Sequence, residues 1–339
     1  MPLTNWKQAF ATVALVVICT FSVQQDANAE VSCSATMNDV AFNNIVPWQG
    51  STSTSGSVRV TCSSDFWDWY LGNRKVNACL SIGTGSVSNS WDPRQLGLNG
   101  SPTFGLINFQ IYDQFGTFVG SPSQPSPILL SNILVPGFGG SSSTVVVPLQ
   151  FTIPMQSSTS SISSGTYSSN FNGNNAMVTV SPSVSSNSTP SNCSNLTNAS
   201  GTFPFTVSGT VQPFCQVLTS DPMKFADVAG FGDTQRDAAT DIRVQCTNLA
   251  SYKINLTPSN NSTSGVGALK YVAGGSETVA YSLFQDAGRT IPWGNQTNNN
   301  KAGTGNGAVQ NQTVYGRVPA NLNATPGAYS DSVQVTVTY

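Results

Sequence analysis

Histidine is absent from this 339-residue chain, which removes the side chain that most acid–base and nucleophile-activating arrangements recruit. Carboxylates are sparse, with Asp and Glu numbering 15 together. Asp113 and Asp286 occupy matching turn positions in Phe109-Gln110-Ile111-Tyr112-Asp113-Gln114-Phe115-Gly116 and Tyr281-Ser282-Leu283-Phe284-Gln285-Asp286-Ala287-Gly288, which points to hairpin structure instead of catalysis. Gly303-Thr304-Gly305-Asn306-Gly307 precedes no helical pattern and reads as a loop, not a phosphate cradle. The cysteines lack paired C-x-x-C spacing, so a metal site is disfavoured. The residue inventory therefore predicts no enzyme, no metal and no cofactor.

The elements that hold such a chain are set by its N-terminus, its cysteines and an internal repeat. Lys7, the apolar stretch Phe10 to Val23 and the small-x-small triplet Ala27-Asn28-Ala29 form a secretory signal over residues 1–29, with Glu30 as first mature residue. The apolar stretch is shorter than the roughly 20 residues of a membrane span. Charged residues make up 8 % of the chain and the formal net charge is −2, so no basic patch exists for nucleic acid. Cys19 leaves with the signal. Cys33, Cys62, Cys79, Cys193, Cys215 and Cys246 remain, an even set in an exported chain, which reads as disulfides.

The repeat narrows their pairing. Cys33, Val40-Ala41-Phe42 and Val58-Arg59-Val60-Thr61-Cys62 are echoed by Cys215, Met223-Lys224-Phe225 and Ile242-Arg243-Val244-Gln245-Cys246. Later segments match too, ending with Met177-Val178-Thr179-Val180 against Val333-Gln334-Val335-Thr336-Val337. Two copies of one domain follow, spanning residues 30–208 and 209–339, with the join near Ser208-Gly209. Cys33–Cys62 and Cys215–Cys246 become equivalent bridges, and Cys79–Cys193 is left as a third. Short segments of period-2 alternation separated by Gly, Asn, Ser and Pro predict an all-β fold of two tandem immunoglobulin-like antiparallel sandwiches.

The second copy resembles the spore coat protein U domain of archaic chaperone–usher pili. The resemblance lies in Tyr281 through Thr290, Ile291-Pro292-Trp293-Gly294, Val314-Tyr315-Gly316-Arg317-Val318-Pro319 and Gly327-Ala328-Tyr329-Ser330-Asp331 through Tyr339. The whole chain is similar to two-domain tip subunits of Csu-type pili. The resemblance implies that the second sandwich lacks its last strand and is completed by a donated one, first from a periplasmic chaperone and then from the next pilus subunit at an outer-membrane usher. Val333, Val335, Val337 and Tyr339 would line that groove. The first copy can close its own sheet with Gly201-Thr202-Phe203-Pro204-Phe205-Thr206-Val207. Only Glu30, Val31 and Ser32 precede Cys33, so the chain is expected to accept a strand, donate none, and sit at the pilus tip on the cell surface after periplasmic transit.

Apolar insertions in the first copy mark the candidate contact surface. One holds Phe66, Trp67, Trp69, Tyr70 and Leu71; the other holds Ile128, Leu129, Leu130, Leu134, Val135, Pro136 and Phe138, with a tight turn expected at Pro136-Gly137. Both are expected as loops at the pole far from the second copy, where they would attach the pilus to hydrophobic abiotic or host surfaces and support biofilm formation. Phe66, Trp67 and Tyr70 could instead fold back as a cap on the sandwich. Two other functions compete: a glycan-binding tip lectin using Trp, Asn and Asp of the same pole, and a fibre-capping initiator that binds nothing.

Overall fold

In the computed structural model, described over residues 31–64, 72–120, 127–137, 141–192, 200–218, 221–227, 234–320 and 323–339, the chain is built almost entirely from strands. The N-terminal half runs β1 (Val31–Met37), β2 (Val40–Ile45), β3 (Thr52–Ser64), β4 (Arg74–Ile82), β5 (Arg94–Leu98), β6 (Ile107–Asp113), β7 (Ile128–Val135), β8 (Ser142–Ile153), β9 (Gly165–Phe171), β10 (Ala176–Val180), β11 (Val184–Ser185), β12 (Gly201–Thr202) and β13 (Phe205–Val211). The C-terminal half continues with β14 (Cys215–Leu218), β15 (Arg236–Cys246), β16 (Ser251–Pro258), β17 (Val266–Tyr271), β18 (Thr278–Phe284), β19 (Lys301–Thr304), β20 (Val309–Val318), β21 (Tyr329–Ser330) and β22 (Val333–Thr338).

Each half folds as an immunoglobulin-like sandwich, and the strands of the second each have a counterpart in the first. The larger sheet of the first has the order β1-β3-β8-β6-β5-β9-β13-β2, and that of the second β14-β15-β20-β18-β17-β21. The facing sheets are β11-β4-β10-β12, with β7 on the free side of β4, and β19-β16-β22. Thus β7 and β19 are equivalent, as are β4 and β16, and β10 and β22. Among the described residues, the second sandwich has no strand matching β2, β11, β12 or β13.

Alternation explains the layers. Along β3, Val58, Val60 and Cys62 are buried while Arg59 is exposed, because successive side chains leave opposite faces of a strand. Cys33 stands directly opposite Cys62 and Cys215 opposite Cys246, with Cα separations of 4.0 and 4.1 Å, and both pairs are bonded. These are the bridges expected from the repeat. Cys79 is also disulfide-bonded; the proposed partner, Cys193, lies outside the described residues.

The junction lies later than the sequence suggested. Ser208 and Gly209 sit inside β13, paired with Ser168 and Tyr167, so the connection between cores is residues 212–214. Trp48 packs on Phe214 at 6.1 Å between ring centroids. Thr159 Oγ1 donates to the Gly307 carbonyl at 2.6 Å, and Ser163 bridges Asn248, so the two sandwiches touch along this end.

The first core is locked by a charge. Arg94 is 1 % exposed and its guanidinium donates to the carbonyls of Gly83 (2.7 Å), Ile82 (2.9 Å) and Val119 (2.5 Å) and to Gln110. Since Ile82 ends β4 while Arg94 and Gln110 belong to β5 and β6, this side chain ties one sheet to the other. Burial lowers its pKa to about 10, opposed by nearby Asp92, and it remains charged at neutral pH.

Candidate adhesive pole and strand-acceptor groove

β3 and β8 fix the long axis of the first sandwich. Thr52 pairs with Ile153 at the end next to the second sandwich, and Ser63 with Ser142 at the other. Strands of this length put the far pole roughly 40 Å from the junction. The roots of the apolar insertions converge there. Ser64 N donates to Ser141 O at 3.4 Å, Ser64 Oγ to Pro136 O at 3.1 Å, Gly137 N to Asn73 Oδ1 at 3.2 Å and Ser186 N to Asn73 O at 3.1 Å. Phe66, Trp67, Trp69, Tyr70, Leu71 and Phe138 lie outside the described residues.

The second insertion corrects the reading of that run as a loop. Ile128 to Val135 is β7, the outer strand on the free edge of β4, with Arg74 opposite Val135 and Leu80 opposite Ile128. Its burial does not follow a single alternation. Ile128 and Leu130 point inward and are partly buried, but the next inward residues are Ile133 (5 % exposed) and Val135 (0 %). A bulge opposite Asn77 inserts an extra residue and reverses the parity, with Asn132 at φ 56°. Val135 is therefore a core residue and is withdrawn from the contact surface. Leu129 (47 % exposed) and Leu134 (44 %) are the apolar side chains this strand presents to solvent. Pro136-Gly137 is a loop root instead of a turn tip: a Cβ at Gly137 would stand 2.1 Å from the Gly72 carbonyl oxygen, so glycine lets the two roots touch.

Asn77 holds the bulge, a role with no signal in its local sequence. Its Oδ1 accepts from Asn132 N at 2.8 Å, its Nδ2 donates to Ser191 O at 3.1 Å and Pro190 O at 3.4 Å, and its own N–H meets Ser181 Oγ at 2.9 Å. Replacing Asn77 by Ala removes the side-chain bonds to Asn132, Ser191 and Pro190 while the backbone bond to Ser181 remains, and we expect a loss of about 2 kcal/mol from the first unfolding transition. Denaturant titration of the variant measures it.

In the second sandwich the equivalent edge strand, β19, reads Lys301-Ala302-Gly303-Thr304 and is polar. A lysine on an edge strand discourages further pairing. The contrast isolates β7 as the apolar member of an otherwise matched pair.

The two sandwiches differ most at their last strands. β10 is flanked by β4 on one side and β12 on the other, and Ala176 and Val178 are fully buried. Its counterpart β22 pairs with β16, and no described strand pairs with its other edge. Val333, Val335 and Val337 accordingly stay half-buried against the core. Met223 and Phe225 form the other wall and cross Gly316, where a Cβ would come within 2.3 Å of the Met223 sulfur and 2.9 Å of the Phe225 ring. Their counterparts Val40 and Phe42 belong to β2, a strand paired with β13; residues 221–227 have no strand partner and are not in a strand. Ala324 and Tyr329 complete the partly buried row. Tyr339 departs from the expected lining: it follows β22, is 55 % exposed, and its ring meets Phe214 edge-on at 6.0 Å, so it belongs to the junction.

Asp113 and Asp286 are engaged in their hairpins. Asp113 Oδ1 accepts from Phe115 N and Thr117 N, both at 2.8 Å. Asp286 accepts from Ile291 N at 2.8 Å and from Thr290 N and Oγ1 at 3.0 and 2.9 Å, and these bonds, led by that from Ile291, hold its pKa below the usual carboxylate range. A depressed carboxylate stabilises the fold above its unfolded pKa, and the contribution disappears as pH falls through the folded value.

The family model described as the Spore Coat Protein U domain matches residues 201–336. This stretch is therefore similar to the Spore Coat Protein U domain. The curated relative Protein U of Myxococcus xanthus is 33 % identical over 103 residues, which is 29 % of this chain and 58 % of that protein's length. Among solved structures, the chaperone–tip adhesion subunit pre-assembly complex of archaic chaperone-usher Csu pili from Acinetobacter baumannii aligns over 91 % of this chain and 100 % of its own, at 15 % identity and TM-score 0.49. The CupB6 tip adhesin of Pseudomonas aeruginosa aligns over 91 % and 94 %, at 11 % identity and TM-score 0.31. Within the matched stretch, Trp293 is a buried anchor, its Nε1 donating to Ile254 O at 2.9 Å with Lys301 Nζ 4.9 Å from the ring centroid. The match also takes in Gly201 to Val211, which the structure places in the first sandwich.

Proposed function

We propose that this chain is the adhesive tip subunit of a chaperone–usher pilus, with its contact surface at the far pole of the first sandwich and its point of attachment in the groove of the second. The observation that carries the reading is the difference between equivalent strands: β10 is paired on both sides, whereas β22 shows an apolar row and an edge that no strand among the described residues pairs. An open edge of this kind takes an extended segment, with main-chain hydrogen bonds supplying affinity and alternate side chains filling the groove. A periplasmic chaperone, then the next subunit at the usher, would fill it. β13 runs antiparallel to β9 and toward the junction, so a strand in the matching position of the second sandwich would run away from the first. The fibre would then leave opposite the pole that carries Leu129 and Leu134.

Adhesion would come from apolar contact with hydrophobic surfaces, abiotic or host, and would support biofilm formation. Full burial of a leucine contributes about 1.5–3 kcal/mol; with each side chain already half covered, Leu129 and Leu134 together supply about 2 kcal/mol, roughly a 30-fold change in an adsorption constant. The test compares the intact protein with its L129S/L134S variant on polystyrene and on hydrophilic glass. We expect selective loss on polystyrene with both unfolding transitions unchanged. Equal adsorption by both proteins would move the contact off β7, and adsorption abolished by free sugar would favour a lectin.

A further inference from the structure

We infer that Gly201–Val211 is a donor strand held in cis, and that the first sandwich is itself a strand-binding site for an extended peptide with apolar residues at alternate positions. The family match assigns this segment to the second unit, since it begins at residue 201. The fold spends it on the first. Phe203, Phe205, Val207 and Val211 are each no more than 4 % exposed, and Phe205 stacks on Phe171 at 4.7 Å between centroids. The segment pairs with β10 through β12, with β9 antiparallel and with β2 in parallel. Gly209 makes room for the core: a Cβ there would stand 2.4 Å from Ile45 Cδ1.

The second sandwich shows what the first would be without the segment. The strand order of the second is found within the first, yet the second shows a half-buried last-strand row and a β2 counterpart without strand pairing among the described residues. The same physics predicts that removing Gly201–Val211 opens the first core along β9, β10 and β2. The segment behaves as a tethered ligand, and its tether is the stretch between β11 and β12. This holds whether or not the second groove takes a partner.

The test cuts the tether of the full chain at a protease site inserted between Asn198 and Ala199, with disulfides kept oxidised. The two pieces are separated in urea. The N-terminal piece is then diluted alone, with the C-terminal piece as the refolding reference, with a synthetic peptide of residues 200–211, and with that peptide carrying Phe205→Asp and Val207→Asp. We expect a cooperative unfolding transition with the C-terminal piece and with the native peptide, none for the piece alone, and binding of the Asp peptide weakened at least about 100-fold by the buried charges. Cooperative folding of the N-terminal piece alone would overturn the inference. So would recovery with the C-terminal piece but not with the native peptide. Because the second groove is absent from the peptide arm, a negative result there leaves the reading of that groove untouched.

Discussion

Fusing a strand to the C-terminus should convert the second sandwich into the more stable half of the molecule. The design appends a short Gly/Asn linker and a copy of Phe203 to Val211 after Tyr339, so that the added strand can turn back along β22. Val333, Val335, Val337, Met223 and Phe225 would pass from half-buried to buried, and the added Phe and Val side chains would be buried with them. At about 25 cal/mol per Å² of apolar area removed from water, less the ordering of roughly nine residues, a net gain of about 3–5 kcal/mol is expected. For a domain of this size that corresponds to a rise of roughly 10–20 °C in Tm. Differential scanning calorimetry should show the second transition moving while the first stays in place. A matching graft with Asp at the inward positions should give no gain, because an unpaired buried charge costs more than the strand contributes.

Loss of Arg94 should be the most damaging single change in the first sandwich. Arg94→Met keeps much of the side-chain volume but leaves the carbonyls of Ile82, Gly83 and Val119 without their donor in a closed core. Each stranded group costs about 1–3 kcal/mol; relief from burying the guanidinium offsets part of this, and a net loss of about 3–5 kcal/mol is expected. The first transition should fall by roughly 10 °C while the second is unmoved. Conversely, Arg59→Met, at an exposed position on β3, should change little.

Much of the architecture is legible in the amino-acid sequence because the chain states it twice. Cys33 and Cys215 recur with the same neighbours, and cross-strand bridges must face each other, so the repeat determines both pairings. Alternation along Val333, Val335 and Val337 marks the inward face correctly. What alternation does not show is which edge of that strand stands open, a matter of pairing over long sequence distance. The wall formed by Met223 and Phe225 escapes for the same reason.

β7 illustrates the other failure. Its apolar run followed by Pro136-Gly137 reads as a protruding loop because a strand on the edge of β4 has no local signature. Its parity reverses at Asn132, where one inserted residue sends Val135 into the core and Leu134 to the surface. Asn77 holds that bulge from a strand far away in sequence. Arg94 is invisible for a similar reason, since nothing in Asp92-Pro93-Arg94-Gln95 announces that the guanidinium will meet the end of β4 in the opposite sheet and the Val119 carbonyl.

Hydrogen exchange of the intact chain tests the open groove most directly. β10 and β22 are equivalent strands in one molecule, so each serves as the other's control. An open groove predicts that amides of Val333–Thr338 on the edge away from β16 exchange at nearly unprotected rates while those of Ala176–Val180 are protected. Adding an extended peptide with alternating apolar residues should slow the β22 amides selectively. Equal protection of both strands in the free chain, unchanged by the peptide, would show that the second sandwich is already closed and would contradict a strand-accepting role.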